Sequence, residues 1–182
     1  DYETRWGIFG QVFDKFVFRP LIIWATAWSF DNLKNWIEKG LHPRQTIKKQ
    51  LTVILSSIAL SLVWIYQGLI PKLLFTNTGE LDILKQSGLF GGNERNVLTF
   101  IGWVEILFGF IILFVHNKSI HVTNIIVLLL LSAGAALSNA TIFTFPFNPF
   151  SLNTSMIAIS MIAMLNLECL PKVSNCITRQ NP

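Results

Sequence analysis

Four stretches of almost unbroken apolar residues run along the chain. Residues 51–70 read LTVILSSIALSLVWIYQGLI, with Lys48 and Lys49 before them and Pro71 and Lys72 after. Residues 97–115 read VLTFIGWVEILFGFIILFV, and residues 120–142 include Ser132, Ala133, Gly134, Ala135 and Ala136, a small-residue patch that suits close helix approach. Residues 152–170 are more polar, with Asn153, Ser155, Ser160, Asn166 and Glu168. A helix needs roughly 20 apolar residues to cross a hydrocarbon core of about 30 Å. The pattern therefore predicts four spans, the last on condition that its polar groups face other helices.

A different pattern precedes them. Residues 20–39 place Phe30, Leu33, Trp36 and Ile37 on one stripe and Asp31, Lys34, Asn35 and Glu38 on the other side. Pro20 suits a first helical turn, and Gly40 followed by Pro43 suits a stop. This segment reads as an amphipathic helix lying in the membrane interface, with packing on a separate soluble domain as the competing reading. Between the first two spans, residues 81–88 suit a short helix in the loop, with Leu81, Leu84 and Leu89 on one side.

Composition sharpens the class. Hydrophobic residues make up 52% of the 182 and charged ones only 13%, against about 25% charged in soluble domains. No Asp, Glu, Lys or Arg occurs between Lys49 and Lys72 or between Lys118 and Glu168. An ordinary soluble globule and a disordered tail are excluded. The net charge of +4 follows from the basic residues of membrane-flanking loops and carries no nucleic-acid signal, since no basic run is interleaved with aromatics. With the N-terminus inside, eleven basic residues fall on the cytoplasmic side and only Lys72, Lys85 and Arg95 on the other. That asymmetry predicts an inner-membrane protein with both termini cytoplasmic. The domain division expected is a segment at 1–49, a transmembrane domain at 50–170 and a cytoplasmic tail at 171–182. The chain opens at Asp1 with no signal-peptide pattern and reads as part of a longer protein.

Glu105 is the one acidic residue deep in a span. A carboxylate at the bilayer centre costs on the order of 3 kcal/mol, so it must face protein or a water-filled cavity. Gln67 is its expected companion across one outward-opening pocket, offset by one to two turns. Lys72 is placed at the mouth as an anchor or as an attractor of polar head groups. Trp64, Tyr66 and Trp103 are candidates to line an aromatic cleft, or belt and packing residues. Asn148 precedes Pro149 in a helix break, where irregular backbone must lie beside protein or a cavity. Cys169 and Cys176 match neither redox nor zinc spacing. No residues form a metal set or a catalytic triad.

Three runs carry a resemblance: WIYQGLIPKLL from Trp64, GWVEILFG from Gly102 and PFNPFSLN from Pro146. In this order, at the ends of apolar segments, they resemble the DoxX-like family of small four-helix membrane proteins over about residues 50–168. The positions matching its pattern are Trp64, Gln67, Gly68, Lys72, Glu105, Asn148 and Pro149. The resemblance implies an all-α integral membrane four-helix bundle, here with the amphipathic N-terminal helix in front. It implies an accessory subunit of a membrane redox complex without catalysis of its own, with a quinone or lipid head group in the polar pocket. A membrane anchor for a soluble oxidoreductase and a small transporter are the alternatives. Partners open to such a chain are membrane lipid, an oxidoreductase or redox-complex subunit, or a second copy of itself. The chain has no GxGxxG motif and no cysteine pair within the spans.

Overall fold

A computed structural model of the chain describes residues 7–76, 79–88, 90–138, 144 and 148–176. All regular structure among these residues is helical: α1 (Gly7–Phe13), α2 (Arg19–Lys39), α3 (Pro43–Leu69), α4 (Gly79–Ser87), α5 (Glu94–Phe114), α6 (Lys118–Ser138) and α7 (Pro149–Asn166). Two π-helical turns, Asp14–Phe18 and Ile70–Leu74, continue directly into α2 and out of α3, and a short 3-10 turn covers Val173–Asn175. Contacts divide the chain into two compact units, residues 1–49 with 169–182, and residues 50–168.

Three helical stretches among the described residues are long and apolar enough to cross a membrane: Pro43–Leu74, Glu94–Phe114 and Lys118–Leu137. The first outruns its expected end. Pro71 does not terminate it, because a proline at the start of a turn loses only an N–H that the turn can spare, and the chain winds on as a wider turn to Leu74. α7 is not among the three, but Asn153, Ser155, Ser160 and Asn166 each have a hydrogen-bond partner. Asn153 donates to Ser132 Oγ at 2.9 Å and Ser160 accepts from Asn124 at 2.6 Å, both across to α6. Ser155 and Asn166 donate to backbone carbonyls one turn back within α7. The helix starts earlier than expected because Asn148 caps it. Its backbone is extended, its side chain accepts from the Ser151 N–H at 2.9 Å, and Pro149 takes the first helical position. Most of the break expected before it lies outside the described residues.

The core of the second unit joins Leu60 and Trp64 of α3, Ile112 of α5, Leu128 of α6 and Met156 of α7, all buried. Leu62, Phe100, Leu107, Phe114, Leu130, Leu137 and Leu165 point outward. Apolar groups outside with polar ones inside is the arrangement a bilayer, not water, stabilises.

The first unit shows the same inversion. α2 exposes Leu21, Ile22, Ile23, Trp24, Phe30, Trp36 and Ile37 while burying Asp31, Asn32 and Asn35. It ends where the sequence predicts, at Gly40 in the left-handed conformation, whose N–H reaches the Trp36 carbonyl. Its polar side holds the segment expected to trail as a tail. Asp31 accepts from the Lys172 N–H at 2.7 Å and from the Asn175 amide at 3.2 Å. The described part of that segment is therefore docked. Asp31→Ala is expected to release it at a cost of about 1.5–3 kcal/mol, the usual worth of hydrogen bonds to a charged group. Hydrogen exchange over residues 169–176 reads the effect directly.

Candidate functional site

Three glycines set the site. α3 and α5 run antiparallel, and at each glycine a methyl group would collide with the opposite helix. At Gly68 it would overlap the Gly102 carbonyl oxygen, with Glu105 Cβ at 3.1 Å. At Gly102 it would stand 2.8 Å from the Gly68 carbonyl oxygen and 2.9 Å from Lys72 Cβ. At Gly109 it would meet Ile65 Cγ1 at 2.9 Å and the Ser61 carbonyl at 3.1 Å. The backbones thus approach as small-residue interfaces in membranes do. The approach brings the start of one charged side chain against the helix that carries the other.

Pro71 supplies the second element. In a continuous α-helix the Gln67 carbonyl would accept from the N–H four residues on, and Pro71 has none. The Lys72 ammonium donates to that carbonyl at 3.3 Å. It also pairs with Glu105 Oε2 at 2.8 Å and with Glu80 Oε2 at 3.1 Å. Lys72 and Glu105 are buried, with 7% and 8% of their surfaces exposed, whereas the Glu80 side chain on α4 keeps 42%. One ammonium is therefore held among three partners, one each on α3, α4 and α5.

This geometry corrects several expectations. Lys72 is not an anchor at the mouth but the cation paired with Glu105. Gln67 contributes its backbone carbonyl. The glycine contacts set the register of α3 against α5, with Glu105 Cβ 3.1 Å from where a Cβ of Gly68, the residue after Gln67, would stand, in place of the expected one-to-two-turn offset. Trp64, Tyr66 and Trp103 do not form one cleft. Trp64 is 2% exposed, but Tyr66 and Trp103 are 63% and 60% exposed. Residues two apart on a helix point to nearly opposite sides, and Trp103 is turned away from the α3-facing Gly102 by one residue's rotation. Asn148 serves as the cap of α7.

Trp64 belongs to a second buried polar group. Its Nε1 donates to Asn124 Oδ1 at 2.8 Å, Asn124 donates to Ser160 Oγ, and the indole meets the Phe108 ring edge-on at 5.1 Å. This chain ties α3, α6 and α7 together. One turn before Asn124, His121 is fully buried. Glu80 and Asn124 carry no mark in the sequence as partners, whereas Ser160 is among the polar residues expected to face another helix. The one local signal was Pro71, which announces a carbonyl in need of a donor.

A helical chain with three apolar helices of spanning length, outward apolar faces and buried ionisable groups is a multi-pass membrane protein. A profile of the DoxX-like family matches residues 61–161, and with more than half of its length matched the chain belongs to that family. It is also similar to the uncharacterized membrane protein YndG of Bacillus subtilis strain 168, with 38% identity over 84 residues. That alignment covers 45% of this chain and 31% of the relative, so the chain matches less than a third of the relative's length. No solved structure matches it.

Proposed function

We propose that this DoxX-like chain is a non-catalytic accessory subunit of a membrane redox complex, and that its buried Lys72–Glu105 site receives the polar head of a quinone or lipid. The supporting observation is the ion pair itself. Charged side chains inside spans are expensive and mark ligand or proton pathways by default, and the pair offers both a donor and an acceptor to a head group. With α7 taken as a fourth span, this reading puts both termini on one side, and the bias of basic residues supports the cytoplasm of an inner-membrane protein as that side. In this reading Glu105 carries protons if any move, and the site is assigned binding, not nucleophilic catalysis.

The anchor reading has its own support in the apolar outer surface of α1 and α2, where Phe9, Phe16 and Phe18 join the exposed residues of α2. Native mass spectrometry of the purified chain separates the two. A quinone or lipid retained by the wild type and lost from the double variant Lys72→Met/Glu105→Gln is the expected result. Unchanged retention in that variant, with a partner mislocalised on deletion of residues 1–40, supports the anchor instead. Gln67→Ala is expected to leave retention unchanged, because the backbone carbonyl remains.

A further inference from the structure

The Lys72 ammonium sits among three oxygen-bearing partners: it donates to the Gln67 carbonyl at 3.3 Å and to Glu80 Oε1 at 3.5 Å, and lies 2.8 Å from Glu105 Oε2 in an ion pair. Lys72 is buried, so a ligand acceptor reaches it most directly by taking the place of one of them. The Gln67 carbonyl is part of the helix backbone. Glu105 is buried on α5 behind the glycine contacts, and moving it would strand two charges in an apolar interior. Glu80 differs from both. It sits on the nine-residue α4, outside the spans, with 42% of its side chain exposed. Its hydrogen bond to Lys72 is long, 3.5 Å at Oε1, and rotation of a side chain this exposed returns its carboxylate to water.

We infer that Glu80 is an exchangeable occupant of the Lys72 site, a tethered carboxylate that holds the place of the carbonyl oxygen of a neutral amphiphile. The inference rests on the head-group reading above and names the chemistry of what binds. With Glu80 turned out, the buried charges left are Lys72 and Glu105, which sum to zero. A neutral carbonyl oxygen replaces the hydrogen bond that Glu80 accepted without adding charge. An anionic head would bring a further negative charge into the site with no second cation among Lys72's partners to match it.

The full chain in lipid nanodiscs, read against empty nanodiscs to subtract partition into lipid, tests this with two probes of equal tail length. Decylubiquinone offers a neutral carbonyl and decanoate an anionic carboxylate. Removing the competitor in Glu80→Ala is expected to tighten decylubiquinone by about threefold to fivefold, the size of a half-exposed ion pair, with Glu80→Gln between it and the wild type. Decanoate is expected to bind more weakly than decylubiquinone in every variant. Decylubiquinone binding to wild type that is unchanged or weakened in Glu80→Ala overturns the exchange and leaves the head-group site standing. Tighter binding of decanoate than of decylubiquinone overturns the neutral-ligand assignment alone. Decylubiquinone binding that survives in Lys72→Met/Glu105→Gln, or no binding of either probe, overturns the head-group reading together with this inference. Circular dichroism of each variant identifies any that fails to fold, and Glu80→Ala, which alters a half-exposed side chain outside the spans, keeps the test open in that event.

Discussion

Lys72→Met is expected to destabilise the protein in detergent by about 3–5 kcal/mol, the range found when one partner of a buried ion pair is removed. The variant leaves Glu105 in the α3–α5 interface with no cation against it, and leaves the Gln67 carbonyl without the donor that replaced the missing Pro71 N–H. Lys72→Met/Glu105→Met is expected to recover most of that loss, since an ion pair exchanged for apolar groups of similar volume is often neutral. Glu80→Ala should cost far less, about 0–1 kcal/mol, because that side chain is 42% exposed and its hydrogen bond to Lys72 is long. Thermal unfolding followed by circular dichroism ranks the three.

Gly68→Leu is the second large effect. Even a methyl group at Gly68 overlaps the Gly102 carbonyl oxygen, a backbone atom that cannot rotate away. Overpacking of a tight core usually costs 1–3 kcal/mol, and a leucine here must push the helices apart, which also separates Lys72 from Glu105. The expected result is a loss as large as that of Lys72→Met, with Gly102→Ala and Gly109→Ala graded below it. Gly134→Ala is the control. A Cβ there meets nothing within 4 Å, so the change should be neutral or stabilising by up to about 1 kcal/mol through helix propensity. Equal melting temperatures for Gly68→Leu and Gly134→Ala would refute the glycine contact.

The helices were legible because hydrophobicity and length are local properties. Residues 97–115 became α5, the loop helix appeared at Gly79–Ser87, and Gly40 stopped α2. The ends were less legible where a single residue has two uses. Pro71 reads as a terminator, yet at the entry to a wider turn it ends nothing, and that one difference carried Lys72 from the mouth to the buried site. Asn148 reads as part of a break and acts as a cap, so α7 begins earlier than the apolar run suggests. Glu105 was found from the sequence alone because a charge among apolar neighbours is anomalous on any scale. Glu80 was not, because a glutamate in a polar loop is ordinary until the fold brings it to Lys72. The aromatic cleft failed for a geometric reason. Trp64, Tyr66 and Trp103 are close in sequence to the site, but helical rotation sends only Trp64 inward.

The site stands or falls on one coupling, that between Lys72 and Glu105. A double-mutant cycle with Lys72→Met, Glu105→Met and the double variant, each unfolded in the same detergent, measures it directly. The structure predicts a coupling of at least about 2 kcal/mol, toward the upper end of what contacting residues show, and losses that add to within about 0.5 kcal/mol would mean that the two side chains do not meet.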